Sequence, residues 1–291
     1  MKTCTVAMFP GQGAQFQGMG RNLFDKYEYH MRLAQQVLGY SLVQVCEGEP
    51  LVLNRTEFTQ PALFVINILH YLDSLEKHGT GAEIFVGHSL GEYCALFAAG
   101  AFSFETALSI VQERGRCMAL CSEGAMAAVI GLKLEQVESL LADSELHDLT
   151  IANFNSPTQF IISGDQSELS QFQENVLKAK GIFHPLQVNG AFHSKRMTSI
   201  AEKFKNFLER AEIYSLKAPV LSNVTADYYP LNNREKFIDL LVKQLSYPVL
   251  WQQCMEKIYS DKPIIGFEYG PKPVVGPLAK KTLGEHITLM N

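Results

Sequence analysis

Long apolar runs, paired cysteines and a basic bias are all missing from this sequence. The longest apolar stretch, residues 93–102, falls short of the ~20 residues that a membrane-spanning helix requires. At the N-terminus a single lysine precedes a short apolar stretch, and Pro10-Gly11-Gln12-Gly13 interrupts it before it reaches the length of a signal-peptide core. A buried first strand ending in a glycine-rich turn is expected there instead. Lys and Arg number 25 against 30 Asp and Glu, a net charge of −5, which argues against a nucleic-acid partner because a phosphate-binding face needs clustered cations. The six cysteines form no C-x-x-C pair. Cys117 and Cys121 are spaced to share a helical face, yet no histidine or second pair completes a zinc set. No metal is therefore expected, and the thiols read as reduced, structural residues of a cytoplasmic protein with no membrane partner. Asn223-Val224-Thr225 fits a glycosylation sequon by pattern alone, since nothing suggests secretion. Repeats, low-complexity tracts and long linkers are lacking too.

What is present is a globular composition, 47% hydrophobic over 291 residues, enough for a large core and a smaller second unit. Strand-like runs alternate with helical patterns, which predicts an α/β fold with a parallel sheet covered by helices on both faces. Strands are expected at 5–9, 84–86 and within 263–269, and helices at 61–77, 92–99 and 104–120. The segment between differs in character. Strands at 126–132, 149–153, 159–163 and 183–188 and helices at 134–141 and 167–180 follow the order β-α-β-β-α-β, that of a ferredoxin-like unit. The chain thus reads as a large hydrolase-like α/β domain, residues 1–123 and 190–291, interrupted by a small ferredoxin-like subdomain at 124–189.

The strongest local signal is Val86-Gly87-His88-Ser89-Leu90-Gly91-Glu92, a G-x-S-x-G placed after a strand and before a helix. That context is what a nucleophile elbow needs: the two glycines allow the tight turn, Ser89 Oγ is lifted clear of the sheet, and the Leu90 N–H is placed to hold an oxyanion. A serine nucleophile needs a base. Of eight histidines, His30, His78, His147 and His286 fall in polar or terminal segments, His70 fits a helix face and His184 lies in a strand of the insert. His88 adjoins the nucleophile and would pack beneath the elbow. His193 follows a glycine-containing loop where the chain re-enters the large domain. No third member is evident, since Asp143, Asp148 and Asp165 all fall in the insert, and a backbone carbonyl is the alternative orienting group. The turn at Pro10-Gly11-Gln12-Gly13 lacks either phosphate-loop signature, and an oxyanion-hole turn with Gln12 giving its N–H suits acyl chemistry better. Arg114 sits on a helix otherwise apolar on one side. Solvated, it is unremarkable; buried, its guanidinium would clamp a substrate carboxylate in bidentate fashion. Asp73-Ser74-Leu75 matches the tripeptide that carries phosphopantetheine on carrier proteins, but it falls inside a helical pattern rather than at a helix start.

Together these segments resemble the malonyl-CoA:acyl-carrier-protein transacylase family nearly end to end. The matching pieces are FPGQGAQ from Phe9, TQPAL from Thr59, GHSLGEY from Gly87 and ERGRCM ending at Met118. GAMAAVIGL from Gly124, NFNSP from Asn153, GAFHS from Gly190, PVLSNV from Pro219 and E-x-G-P from Glu268 continue the series. The resemblance implies Ser89 as nucleophile, His193 as base, Gln12 and Leu90 as oxyanion donors and Arg114 as the partner of the malonyl carboxylate. Gln60, His88 and Phe192 would line the pocket. In the family the base is oriented by a main-chain carbonyl just ahead of a P-V-x-W segment, a position held here by Tyr247. Lys272-Pro273 departs from the small residue usual after the late proline. GAFHS is similar to the stand-alone acyltransferases of polyketide synthases, with Phe192 fitting malonyl. The implied partners are an acyl carrier protein in trans and a CoA thioester, with no cofactor beyond malonyl-CoA as substrate. Lys195, Arg196, Lys280 and Lys281 are the candidate docking cations. The alternative is an editing acyl hydrolase of the same fold, in which water replaces the carrier thiol; a buried Arg114 would argue against it.

Overall fold

Eight strands are found among the described residues: β1 (Cys4–Phe9), β2 (Ile84–Gly87), β3 (Ala125–Ile130), β4 (Thr150–Ser156), β5 (Gln159–Gly164), β6 (Ile182–Pro185), β7 (Ile264–Glu268) and β8 (Ile287–Met290). The computed structural model describes residues 3–79, 81–121, 123–142, 146–188, 190–259 and 262–290. The strands form two sheets. One is parallel throughout, in the order β2-β1-β7-β8; the other is antiparallel, in the order β4-β5-β3-β6.

The parallel sheet is buried on both faces, and β1 shows why its sequence is apolar without alternation. Successive side chains point to opposite faces of a strand. Ala7 and Phe9 enter one apolar cluster, with Leu63, Leu96 and Leu108, while Val6 and Met8 enter another, with Trp251, Met255 and Leu278. The helices Thr56–His78, Gly91–Ala98 and Phe104–Ala119 cover the first face; Trp251–Ile258 and Val275–Leu283 cover the second. Glu268, at the end of β7, accepts the backbone N–H groups of Val274 at 2.6 Å, Val275 at 3.0 Å and Gly276 at 2.7 Å. It thereby satisfies the orphan donors of the helix Val275–Leu283, which accounts for the glutamate of the late E-x-G-P motif.

The antiparallel sheet has the ferredoxin-like order. Ala127, Val129, Phe160 and Ile162 pack under the helices Leu134–Ala142 and Gln166–Lys178 through Val137, Leu169 and Phe172. Met126, Ala128 and Ile161, on the other face, join the main core. Two backbone bonds tie this sheet to the large unit: Phe154 N–H to the Val249 carbonyl at 2.9 Å, and Val249 N–H to the Ala152 carbonyl at 2.8 Å.

Some boundaries differ from the sequence expectation. The helix expected at 61–77 begins at Thr56, with Pro61 inside it. A proline normally marks a first turn, but here Thr59 Oγ1 donates to the Leu53 and Arg55 carbonyls at 2.5 and 3.0 Å and seats the preceding turn in the core. The last strand of the insert stops at Pro185, short of residue 188. β8 was not expected; it is four residues long and mostly exposed, so it carries little apolar pattern. Asn189, the expected end of the insert, lies outside the described residues.

Candidate active site

β2 runs directly into the elbow. A Cβ on Gly87 would overlap the backbone of Gly91 and Glu92 across the turn, so only glycine fits there. Ser89 adopts φ 51°, a left-handed conformation that costs a non-glycine residue on the order of 1 kcal/mol or more. Asn223 braces it. The Ser89 N–H donates to Asn223 Oδ1 at 2.7 Å, and Asn223 Nδ2 donates to the Gly87 carbonyl at 2.8 Å. The first glycine turn approaches from β1 so closely that a Cβ on Gly11 would strike the His88 carbonyl. The N–H groups of Gln12 and Leu90, one from each turn, donate to no other group among the described residues.

His193 is brought to this point from the far side of the insert. Its Nε2 lies 2.8 Å from Ser89 Oγ. Its Nδ1 lies 2.8 Å from the Gln244 carbonyl, which can only accept, so Nδ1 carries the proton and Nε2 is free to accept from the serine hydroxyl. The resemblance had pointed to the Tyr247 carbonyl, and the structure corrects this: the bond goes to Gln244, with the Tyr247 backbone a lesser influence. Gln244 is the C-cap of the helix Arg234–Lys243, where the last carbonyls have no partner in the helix. Burial, and after it the Arg114 cation, push His193 down to about 3, against the pull of the Gln244 carbonyl. The ring is neutral throughout the ordinary pH range.

Arg114, from the helix Phe104–Ala119, is only 1% exposed. Its Nη1 donates to Gln60 Oε1 at 2.7 Å, and its Nη2 donates to Ser89 Oγ and Gln244 Oε1, each at 3.0 Å. Its Nε finds no partner among the described residues, and the guanidinium lies 5.3 Å from the Tyr93 ring centroid. Burial lowers its pKa; Tyr93 and then Glu92 oppose this. A buried cation whose hydrogen bonds run to neutral oxygens is short of a counter-charge. Gln60 is itself buried and reaches Met118 Sδ with its Nε2 at 3.2 Å.

His88 reaches sideways to β4, with Nε2 2.8 Å from Asn155 Oδ1 and its ring 5.7 Å from Trp251. Burial lowers its pKa. The space in front of Ser89 is a cavity of about 740 Å³, lined by Gln12, Gln60, His88, Met126, Phe192 and His193 among others. Of the candidate docking cations, Lys281 lies at this cavity with Nζ 3.2 Å from Gln159 Oε1. Lys280 donates to the Ile287 carbonyl at 3.1 Å. Arg196, still partly exposed, meets Asp148 at 2.5 Å, Asp165 at 3.5 Å and Glu123 at 3.8 Å. Those aspartates are thereby engaged away from His193, and Asp143 lies outside the described residues. Asp73 is paired with Lys26 and Lys77 in mid-helix, so the Asp73-Ser74-Leu75 tripeptide serves the fold.

Sequence reasoning missed three participants. Gln244 contributes through its carbonyl and its amide at a helix end that carries no motif. Asn223 falls in the sequon and in the PVLSNV segment, but neither pattern gave it a role at the elbow. Glu92 ends the elbow motif but was given no role; it is fully buried, and burial pushes its carboxyl up to about 7 against hydrogen bonds from the Tyr229 hydroxyl and the Asn223 N–H.

Comparison with known proteins agrees with this geometry. Residues 6–289 match the acyl transferase domain family. The chain is 40% identical over 282 residues to the polyketide biosynthesis malonyl CoA-acyl carrier protein transacylase BaeC of Bacillus velezensis, covering 96% of each. It is 41% identical over 282 residues to the polyketide biosynthesis protein PksE of Bacillus subtilis, covering 96% of this chain but only 36% of that longer protein. A malonyl-transacylase, PlMCAT, solved in complex with the type II polyketide synthase acyl-carrier protein AntF, superposes with a TM-score of 0.92 at 31% identity, covering 99% of this chain and 95% of that one. Since the family match runs from the first strand of the parallel sheet to the last, with the elbow, histidine and buried arginine meeting inside it, the chain belongs to the acyl transferase domain family.

Proposed function

We propose that the protein is an acyl-carrier-protein S-malonyltransferase, moving malonyl from malonyl-CoA to the phosphopantetheine thiol of an acyl carrier protein through an ester on Ser89. The observation that carries this reading is the position of Ser89 Oγ, 2.8 Å from the neutral His193 Nε2 and 3.0 Å from the buried Arg114 guanidinium. A base beside the hydroxyl supplies the nucleophile, and a cation with no carboxylate among its hydrogen-bond partners supplies a reason for the acyl group to end in one.

The cycle follows from these contacts. His193 Nε2 takes the Ser89 proton as Oγ forms a bond to the thioester carbon. The Gln12 and Leu90 N–H groups hold the oxyanion; the Ser89 N–H, already given to Asn223, takes no part. The C–S bond breaks and the CoA sulfur leaves with the proton from His193. The carrier thiol then gives its proton to His193 and attacks the ester, and Ser89 regains the proton as it leaves. The helix end presented by Gln244 favours the imidazolium formed between these steps. Every proton and electron pair comes from the chain or the two thiol partners, so the scheme calls for no resident cofactor or metal. Gln60 holds Arg114 in place, and Phe192 narrows the cavity toward malonyl.

Likeness to BaeC along nearly all of both chains supports a polyketide role with the carrier supplied in trans. Six unpaired cysteines and a CoA substrate support a cytoplasmic setting. Among the described residues no helix is long and apolar enough to cross a membrane. Mass spectrometry after brief exposure to malonyl-CoA and acetyl-CoA tests the proposal: a malonyl adduct on Ser89, transferable to a holo carrier protein, is expected. Preferential loss of neutral acyl groups to water would instead make the protein an editing hydrolase.

A further inference from the structure

Asn223 is fully buried, so the sequon it begins cannot serve glycosylation. Its side chain is spent on the elbow: Oδ1 accepts the Ser89 N–H at 2.7 Å and Nδ2 donates to the Gly87 carbonyl at 2.8 Å. Asn223 is itself held. Its backbone N–H donates to Glu92 Oε2 at 2.7 Å, while the Tyr229 hydroxyl donates to Glu92 Oε1. From the other side the Asn223 carbonyl accepts the Leu250 N–H at 2.9 Å. The chain of contacts runs from the first turn of the helix Gly91–Ala98, through Glu92 and Asn223, back to Gly87 and Ser89 in the elbow.

This closed loop has a specific consequence for a serine at φ 51°. A left-handed residue relaxes unless its neighbours over-determine it. Asn223 fixes the Ser89 peptide from the N–H side and the Gly87 peptide from the carbonyl side, which holds the backbone from which Oγ reaches His193 Nε2 at 2.8 Å. It also removes the Ser89 N–H from competition for the oxyanion, which would otherwise be drawn out of line with Gln12 and Leu90.

We propose that Asn223, held in place by the Glu92 carboxyl, is a positioning residue for acyl transfer: it keeps the strained Ser89 backbone in the orientation that aims Oγ at His193. The inference rests on the seryl-ester reading above. Asn223 lies behind the elbow and does not line the cavity, so it acts on the rate of acylation and not on binding of malonyl-CoA.

Burst kinetics of malonyl-Ser89 formation test this, with melting temperature measured for each variant. In Asn223→Ala the acylation rate constant is expected to fall ~100-fold, the scale of an ångström-sized misplacement, while KM for malonyl-CoA stays within about three-fold. Glu92→Gln retains an oxygen to accept the Asn223 N–H and should stay within roughly ten-fold of wild type. The double variant should be no slower than Asn223→Ala alone, because Glu92 acts on Ser89 through the Asn223 side chain, which the alanine has already removed. Should Asn223→Ala fail to fold, Asn223→Asp has equal volume but sets an acceptor against the Gly87 carbonyl, and should slow acylation ~10-fold or more at unchanged KM. Acylation at the wild-type rate in both Asn223 variants, or a loss confined to KM, overturns the inference. A wild-type protein that forms no adduct on Ser89 overturns the seryl-ester reading itself, and the positioning role with it.

Discussion

Ser89 and His193 meet at 2.8 Å with both backbones in the left-handed region, at φ 51° and 56°. Neither is glycine, so each conformation is maintained by its surroundings: Asn223 for the serine, and for the histidine the Leu245 carbonyl, which accepts its N–H at 3.1 Å. Strain at both partners of one contact marks the pair as the place where the fold spends stability on geometry.

The pH response of His193 follows from its surroundings. With the ring at about 3, against an ordinary value of 6.5, the base is already unprotonated at mildly acid pH. The acylation rate should therefore hold level from pH 8 down to pH 5, where an exposed histidine would have lost most of its activity. His193→Ala should lower the rate roughly 10²- to 10⁴-fold. A rate that halves near pH 6.5 in stopped-flow acylation would contradict the buried, neutral ring. Stability follows the same sign: the unfolded chain takes up the proton first, so this contribution is complete above pH 6.5 and is lost as pH falls toward 3.

Glu92 has the opposite linkage. Its carboxyl is pushed up to about 7 from 4.5, so the folded state binds the proton more tightly than the unfolded chain. Its contribution is fully present below pH 4.5 and is lost as pH rises through 7. Glu92→Gln cannot ionise and should gain on wild type by on the order of 3 kcal/mol between pH 4.5 and pH 8. Thermal melts of both proteins at the two pH values measure this, and the His193 contribution cancels in the comparison. A constant difference between them would show that Glu92 titrates normally.

Much of this was legible in the sequence, for identifiable reasons. The elbow was readable because G-x-S-x-G needs its strand and helix immediately beside it, and all three are local. The ferredoxin-like unit was readable because its two helices bury one face and so show their period, while β3 and β5, buried on both faces, stand out as short apolar runs between them. Arg114 was ambiguous, since a helix pattern cannot tell a solvated arginine from one buried against Tyr93. The carbonyl that orients His193 was misplaced from Gln244 to Tyr247 because any residue can supply a carbonyl, and its position depends on where the helix Arg234–Lys243 ends. Asn223 and Glu92 stayed hidden because their contact spans 131 positions and matters only once the parallel sheet is assembled.

Arg196 should prove to be a strut and not a docking cation. Just beyond His193 in the chain, it links Asp148, Asp165 and Glu123. Partly exposed pairs contribute little singly, so Arg196→Ala should cost about 1 kcal/mol of stability for the network. Acylation by malonyl-CoA and the Kd for a carrier protein should both change less than about three-fold. A large, salt-dependent loss of carrier affinity at unchanged melting temperature would return Arg196 to the docking surface.

Arg114 should separate malonyl transfer from other acyl chemistry. In the free protein its guanidinium is fully desolvated and makes do with the oxygens of Gln60, Gln244 and Ser89. A malonyl carboxylate offers the charge those partners lack, and charge-assisted, bidentate bonding of this kind is worth on the order of 2–5 kcal/mol when one partner is removed. Arg114→Ala should therefore lower malonyl transfer roughly 30- to several-thousand-fold, at ~1.4 kcal/mol per factor of ten. Acetyl transfer should fall far less, or rise, because an acetyl group gains nothing from the cation. Lysine should rescue only in part: a point charge cannot reach Gln60, Gln244 and the substrate at once. Paired measurements of kcat/KM for malonyl-CoA and acetyl-CoA in wild type, Arg114→Ala and Arg114→Lys decide the matter. Equal losses for both substrates would mean that Arg114 supports the elbow through its bond to Ser89, and that the selectivity for a carboxylate resides elsewhere in the cavity.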